Sequence, residues 1–479
     1  MNCADHRPTV DILPDDVLLE IFDFDRLSPT RCSWEYHWPW VRLVHVCQRW
    51  RHLIFSSPRR LGLRLLCSNG TPVKENLGFW PDLPIAICYG GVSRCKPPSP
   101  EDEENLVTAL RQPDRLCEIW LTITGSLSNQ LIAEMQKAMP ALETLRLMAR
   151  DLPELLLPGE FLGGSAPLLS VLSFHGITFP VLPKFLLSSR NLVSLELWSI
   201  PRSGYFSPEA LVACLSAMTQ LKSLTITFDY WMAYFHVINL RTPPSGPTVL
   251  PALTHLKFHG ITEYSEAILT RIDTPLIESI DLRFFNRLAF EIPHLFHFIR
   301  RTSQLESPTH VKIASSRHGF AVALIHHIKT PRTPIPRSLF LQITCKQFDS
   351  HLTNISPISS QLSPFFSSAP LLELYAFPPV VSNHNVLDLA QWVELLRPFG
   401  RVERLYVVDD LLLDIARVLH RAISETDLEF LPELRELYLG NWDSPNFKAA
   451  LDDIGTFICT RGLNGHSIVI YNWDTSHFR

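Results

Sequence analysis

A short apolar pattern, repeated along most of the chain, constrains the fold more than any other feature. Apolar residues recur as apolar-x-x-apolar-x-apolar, and successive copies lie about 23–35 residues apart. The clear copies are Leu142-Leu145-Leu147, Leu169-Leu172-Phe174, Leu192-Leu195-Leu197, Leu221-Leu224-Ile226, Leu253-Leu256-Phe258, Ile277-Ile280-Leu282, Leu371-Leu374-Ala376, Val402-Leu405-Val407 and Leu434-Leu437-Leu439. Weaker copies are Leu116-Ile119-Leu121, Val311-Ile313, Leu339-Leu341 and Ile468-Ile470. Such a period is typical of stacked repeats, in which each unit buries its apolar side against its neighbours.

Each copy predicts a short strand, because its last two apolar residues are two positions apart and share one face of an extended chain. Helix-like stretches lie between copies, as in residues 208–218 and 263–272. We therefore predict an α/β fold: a leucine-rich-repeat-like solenoid with a parallel concave sheet and helices on the convex side. Regular leucine-rich repeats carry Asn three residues after the third apolar position, whereas this chain has Ile177, Ile200 and Trp442 there, so we expect irregular curvature. A non-repeat α/β fold is the alternative.

The composition favours a folded chain with many turns. Of 479 residues, 46% are hydrophobic, 19% are charged and 38 are proline, which argues against both disorder and a long coiled coil. The formal net charge of −5 lacks the basic surplus of a protein whose main partner is nucleic acid. No apolar run is long enough to span a membrane, and residues 1–8 have no signal-peptide core. The ten scattered cysteines include no CxxC pair, so we expect a reduced protein of the cytoplasm or nucleus.

The first 60 residues differ from the repeats and favour two helices. One apolar face consists of Leu13, Val17, Leu18, Ile21 and Phe22, and the next consists of Trp40, Leu43, Val44, Cys47, Trp50 and Ile54. Pro14 suits a first helical turn, and Pro58 ends the second helix. Two helices of this size cannot bury both apolar faces alone, so they need the rest of the chain or a partner. A plain helical cap for the repeats is the alternative.

These residues resemble an F-box. Residues 13–22 (LPDDVLLEIF) and 43–51 (LVHVCQRWR) carry its opening Leu-Pro with an acidic pair and its Val-Cys-x-x-Trp-Arg. Later phrases resemble the large F-box families of mushroom-forming fungi, namely residues 77–81 (LGFWP), 161–167 (FLGGSAP), 203–210 (SGYFSPEA) and 271–275 (RIDTP). The resemblance implies a non-catalytic subunit that docks on the Skp adaptor of a cullin–RING ubiquitin ligase and recognises a target protein. Residues 24–39 are longer than the usual link between the two F-box helices.

The adaptor-binding surface follows from this resemblance. The residues predicted for it are Leu13, Pro14, Val17, Leu18, Ile21, Phe22, Val44, Cys47 and Trp50. Some of them must pack the F-box itself. By the family motif, Leu13 and Pro14 should touch the adaptor, and Trp50 should hold the helices together.

The patterns predict three regions: an F-box in residues 1–60, a linker or junction in residues 61–110, and the solenoid in residues 111–479. The linker is rich in proline and glycine and ends in the acidic run 101–104, which we expect to cap a helix. Residues 329–337 hold three prolines and predict a projecting loop.

No catalytic, metal-binding or cofactor-binding constellation stands out in the sequence. Ser165 follows two glycines but lacks the G-x-S-x-G spacing, so we expect a turn before a repeat strand. His326 and His327 are adjacent, so they point to different sides and cannot share one metal. We predict no enzyme and no cofactor. A ligase-independent scaffold is the second hypothesis, and a hydrolase that uses Ser165 is a distant third.

The repeat pattern also predicts a target-binding site. The residue between the second and third apolar positions should project from the concave face, and in the last four copies it is aromatic: Phe340, Tyr375, Tyr406 and Tyr438. Adjacent strands would align these rings in one exposed patch, a common feature of binding sites. Two alternatives remain open. A C-terminal segment such as residues 471–478 covers the rings, or the β-propensity of tyrosine explains them.

Overall fold

The structure is a computed structural model, and it describes sixteen segments of the chain. These are residues 12–26, 43–58, 60–79, 83–89, 99–125, 128–150, 155–178, 184–229, 247–285, 292–302, 307–316, 319–326, 337–344, 356–376, 389–424 and 430–473. The chain divides into two compact units, residues 1–192 and 193–479, which differ from the three predicted regions. Each unit is α/β with a mainly parallel sheet, as the repeats predict.

In the first unit, the sheet contains β1, β2, β3, β4 and β6 in that order, all parallel. The strands are β1 Leu65–Ser68, β2 Ile85–Tyr89, β3 Leu116–Ile123, β4 Thr144–Ala149, β5 Leu155–Leu156, β6 Val171–His175 and β7 Ile177–Thr178, where β5 and β7 form a separate parallel pair. The helices are α1 Asp15–Arg26, α2 Gln48–Ser56, α3 Val73–Phe79, α4 Pro100–Leu110, α5 Ser128–Glu134 and α6 Lys184–Ser188.

In the second unit, strands and helices again mostly alternate along the chain. Its strands are β8 Ser194–Ile200, β9 Ser223–Phe228, β10 Thr248–Val249, β11 His255–Gly260, β12 Ile272–Asp273, β13 Ser279–Phe284, β14 His310–Ser316, β15 Gly319–His326, β16 Arg337–Thr344, β17 Leu371–Ala376, β18 Arg404–Val407, β19 Glu436–Gly440 and β20 Val469–Trp473. Its helices are α7 Pro208–Leu215, α8 Thr262–Leu269, α9 Pro293–Arg301, α10 Ser356–Phe366, α11 Leu389–Leu396, α12 Leu412–Ser424 and α13 Pro445–Leu463. The small strands β10 and β12 pair with each other.

The repeated apolar triplets form the core because strand residues alternate between two faces. On β4, Leu145 and Leu147 are buried, whereas Arg146 between them is only half-buried. The same alternation holds on β11 and β13. Each of the thirteen predicted copies overlaps a strand of the structure, so the pattern locates the strands correctly.

One segment of the second unit departs from the predicted all-parallel order. There the sheet runs β13-β16-β15-β14-β17, with β15 antiparallel to both of its neighbours. The chain turns back after β14 and again after β15, so β16 is the strand beside β13. The triplet pattern marks β14 and β16 but gives no sign of β15. The predicted loop at residues 329–337 lies outside the described residues up to Arg337, where β16 begins.

The predicted linker, residues 61–110, is folded instead. It contributes β1 and β2 to the sheet of the first unit, together with α3 and α4. Of its described prolines, Pro72 and Pro84 directly precede α3 and β2, and Pro100 is the first residue of α4. The acidic run acts as expected: Asp102 and the N-cap residue Ser99 form a capping box at the start of α4. Asp102 Oδ1 also accepts a hydrogen bond of 2.6 Å from the backbone N–H of Gly70.

Candidate interaction surfaces

The two N-terminal helices pack through a small aromatic and aliphatic core. The rings of Phe22 and Trp50 meet edge to face, with centroids 4.8 Å apart. Leu18, Phe22 and Val44 are buried, as is Ile54 of α2. Helix α2 begins at Gln48 rather than near Trp40, because Cys47 is its N-cap and its Sγ accepts a hydrogen bond from the backbone N–H of Trp50 at 3.4 Å.

Arginines of α2 fix the turn that starts α1. Arg49 Nη2 donates to the carbonyl oxygen of Leu13 at 2.6 Å and to Asp15 Oδ1 at 2.6 Å. Arg51 Nε donates to the carbonyl oxygen of Val44 at 3.0 Å. Arg49 therefore ties the Leu13–Pro14 turn and the first residue of α1 to α2. Arg51 ties the segment before α2 to the helix itself.

The outer face of α1 is a second apolar stripe. Pro14, Val17 and Ile21 are spaced i, i+3 and i+7, which places them on one side of the helix. Val17 is 42% and Ile21 46% exposed, and Pro14 is exposed too. Ile12 and Val46 are also exposed, at 69% and 58%. We call Pro14, Val17 and Ile21 the α1 stripe.

The structure separates the nine predicted adaptor-binding residues by burial. Pro14, Val17 and Ile21 are exposed, and Leu13, Cys47 and Trp50 are half-buried. Leu18, Phe22 and Val44 are buried, so we remove them from the predicted surface, because they form the core between the helices. Ile12 and Val46 are exposed apolar residues that the periodicity did not select, since neither lies on its apolar faces.

In the second unit, one row of side chains crosses the solvent-facing side of the sheet. Register partners place in it Glu196, Thr225, Lys257, Asp281, Phe340, Ala323, Lys312, Glu373, Tyr406, Tyr438 and Tyr471, in that order from β8 to β20. We call it the central row. Its last three members are tyrosines on neighbouring strands, and Tyr471, on the last strand, is 39% exposed.

These tyrosines form a continuous stack. The ring centroids of Tyr406 and Tyr438 are 4.1 Å apart with planes at 7°, and those of Tyr438 and Tyr471 are 4.8 Å apart at 18°. Rings this close and this nearly parallel overlap face to face. Neighbours therefore cover the two faces of Tyr438, while the outer face of Tyr471 points away from the stack.

Tyr375 lies near this stack but not in the central row. The prediction chose Leu371-Leu374-Ala376 as the core triplet, whereas Leu372 and Leu374 are the buried residues. Glu373 therefore occupies the row, and Tyr375 stands two residues further along β17 on the same face. Trp473 joins Tyr375 to the stack: its ring centroid is 5.7 Å from that of Tyr375 and 5.2 Å from that of Tyr406. Its register partner on β19 is Gly440.

Phe340 is separate from the tyrosines, contrary to the prediction of one aromatic patch. Because β15 and β14 lie between β16 and β17, Phe340 has Asp281 on one side and Ala323 on the other. Arg283 lies over its ring, with Cζ 5.4 Å from the centroid. Of the C-terminal segment considered as a cover for the rings, residues 469–473 form a strand beside β19 and Tyr471 stacks on Tyr438. Residues 474–479 lie outside the described part.

Beside the stack, Glu373 is buried among polar partners. Its Oε1 lies 2.9 Å from His310 Nε2, its Oε2 lies 3.0 Å from Lys312 Nζ, and it accepts a hydrogen bond from the Tyr375 hydroxyl. Burial raises the pKa of Glu373, but these partners outweigh burial and hold the pKa at about 2. A buried carboxylate paired in this way keeps its charge.

Three residues were examined in the sequence as catalytic or metal-binding candidates: Ser165, His326 and His327. Ser165 is exposed after a tight turn in which Gly163 has φ +62° and a Cβ would lie 2.9 Å from the Ala138 nitrogen. His326 is buried in β15, and His327 lies outside the described residues. In the described segments, no three His, Cys, Asp or Glu side chains come together as a metal site would require. Nor does any helix of these segments have both the length and the apolar character of a membrane span.

No protein-family model matches the sequence, and no curated protein matches it.

Proposed function

We propose that this protein is the substrate-recognition subunit of a Skp–cullin–F-box ubiquitin ligase, with no catalytic activity of its own. One observation carries the proposal: α1 is apolar on two sides. One side packs Leu18 and Phe22 against α2, and the other exposes Val17 and Ile21 to solvent. Exposed aliphatic side chains at helical spacing cost free energy in water, and they are typical of a helix that docks on a partner.

The F-box resemblance identifies that partner as the Skp adaptor. The α1 stripe is the surface we propose for it, with Leu13 half-buried at its start. The Arg49 contacts support this role, because they fix the turn before the helix and so lower the entropy that docking would cost.

We further propose that the succession of parallel strands and helices is a leucine-rich-repeat-like solenoid whose open sheet face receives the target protein. The support is the central row, which is continuous over the strands of the second unit and ends in stacked tyrosines. A ligase subunit of this kind acts in the cytoplasm or nucleus, with neither nucleic acid nor membrane as its partner.

Co-elution with the purified Skp adaptor tests the proposal. We expect the full chain to co-elute with the adaptor in gel filtration and the Val17→Glu, Ile21→Glu variant to elute alone, because two buried charges would oppose the interface. Both positions are exposed, so the variant should keep its melting temperature.

Leu463→Glu is the matched control, since Leu463 is an exposed aliphatic residue on α13. It should co-elute like the parent chain. If the parent chain and the adaptor elute separately, the ligase proposal fails and a ligase-independent scaffold becomes the better explanation.

A further inference from the structure

The sheet face of this protein pairs aromatic rings with basic side chains. Lys257 Nζ lies 4.9 Å from the ring centroid of Trp198, and Lys312 Nζ lies 5.6 Å from that of Tyr375. Arg283 covers Phe340 in the same manner. Each arrangement places a positive charge over the negative face of a ring.

The tyrosine stack at β18–β20 is the exception. Among the described residues, no lysine or arginine lies over Tyr406, Tyr438 or Tyr471. The stack covers its own inner faces and leaves the outer face of Tyr471 open on the last strand. One ring face that could accept a cation is therefore exposed.

Two tyrosine hydroxyls here, that of Tyr438 in the stack and that of the neighbouring Tyr375, donate their protons to carboxylates. The Tyr438 hydroxyl donates to Glu436 Oε2 at 2.9 Å, and the Tyr375 hydroxyl donates to Glu373. Since each of these hydroxyls already donates its proton, its oxygen can only accept further hydrogen bonds. A partner with many N–H donors and a positive charge fits such a surface better than an anion does.

The turns after β18 and β19 carry negative charge, which would attract a positively charged partner. Residues 407–411, 440–447 and 472–473 contain Asp409, Asp410 and Asp443 and no Lys, Arg or His. The two turns are joined, because the Ser444 hydroxyl donates to Asp409 Oδ1 and Asn446 Nδ2 donates to the Asp409 carbonyl oxygen at 3.3 Å. Since the strands are parallel, both turns lie at one end of the stack. We call Asp409, Asp410 and Asp443 the acidic rim.

We propose that the tyrosine stack and the acidic rim bind an arginine-bearing, extended segment of a target protein, with one guanidinium on the open face of Tyr471. Three neighbouring strands are about 10 Å across, and the rim begins three residues beyond the row, at Asp409 after Tyr406, so about four extended residues reach both. Arginine fits better than lysine, because its planar group stacks on a ring while its N–H groups still bond to carboxylates. That the segment belongs to a ligase target rests on the proposed function.

Calorimetric titration of the full chain with three blocked peptides, SRSRSRSRS, SKSKSKSKS and SESESESES, tests the inference. We expect the arginine peptide to bind most tightly and the glutamate peptide not to bind. Tyr471→Leu should weaken the arginine peptide about three- to fivefold, because leucine keeps apolar area without a ring face, and Tyr471→Phe should bind like the parent chain. Asp410→Asn with Asp443→Asn should weaken binding to a similar degree.

Two controls separate the site from general charge attraction. Phe340→Leu removes a ring that Arg283 already covers, and Glu101→Gln with Glu103→Gln removes two charges from α4; neither should change the affinity. Equal affinity for the arginine and glutamate peptides, or unchanged binding by Tyr471→Leu, would overturn the inference. Adaptor co-elution does not depend on Tyr471, so the two proposals fail independently.

Discussion

At the scale of single residues, a buried carboxylate on the sheet face, Glu373, is held by ion pairs and a hydrogen bond. Glu373 combines burial with three polar partners, two of them basic, from β14 and β17. The apolar triplets cannot predict such a cluster, because His310 and Lys312 precede Glu373 by about sixty residues. Only the pairing of β14 with β17 brings them together.

Glu373→Gln should destabilise the fold by about 1.5–3 kcal/mol at pH 7, because Lys312 and His310 lose a charged partner while the Tyr375 hydrogen bond can persist. The folded pKa of about 2 lies below the ordinary 4.5. The stabilisation is therefore complete above pH 4.5 and is lost as the pH falls towards 2.

Urea unfolding at a series of pH values measures this effect. The free energies of parent and variant should differ most above pH 4.5 and converge below it. Glu436→Gln, at a carboxylate that accepts a hydrogen bond from the half-buried Tyr438, is the control and should cost less. A difference between parent and Glu373→Gln that stays constant down to pH 2 would contradict the assignment.

At the scale of single elements, caps and register explain most of the differences between expectation and structure. The helices expected in residues 208–218 and 263–272 are α7 and α8. Residues 61–110 were taken for a linker because their prolines resemble those of a loop, yet Pro72, Pro84 and Pro100 lie at the starts of elements, where proline is tolerated. The strands β1 and β2 between them are short, and isolated apolar runs of that length are ambiguous.

Asp102→Ala should lower the free energy of unfolding by about 1–2 kcal/mol, because it removes half of the capping box of α4 and the bond to the Gly70 N–H. Glu101→Ala in the same helical turn is exposed and should cost under about 0.5 kcal/mol. Chemical denaturation of both variants measures the difference. Equal losses would mean that Asp102 acts only through the helix dipole.

At the scale of whole units, the order of the strands in the sheet decides which side chains become neighbours. In the second unit, β13 pairs with β16, so Ser279 and Ser338 are register partners 59 residues apart. Strand β14 likewise pairs with β17 rather than with the next copy, so Lys312 and Glu373 are register partners. Strands β15 and β14 lie between β16 and β17 in the sheet, and they separate Phe340 from the tyrosines. In the sequence, by contrast, Phe340, Tyr375, Tyr406 and Tyr438 belong to successive copies of the pattern.

The last strand should protect the sheet that it borders. A chain that ends at Gly465 lacks β20, which exposes the Tyr438 ring and the backbone edge of β19. Unpaired edges promote aggregation, so we expect this chain to scatter more light on heating and to exchange the β19 amide hydrogens faster than a chain that ends at Trp473. Identical aggregation and exchange in the two chains would show that β20 has no protective role.

The sequence by itself determined the α/β class, the positions of the repeat strands and the two N-terminal helices, because these depend on local periodicity and on alternation between two faces. It also placed tyrosines on the solvent-facing side of β17–β19. The tertiary structure decided the rest: that Tyr471 and Trp473 complete the stack, that Phe340 does not join it, and that Leu18, Phe22 and Val44 are core while Ile12 and Val46 are surface. The physical reason is that strand order and helix packing depend on contacts between distant residues, which no local pattern records.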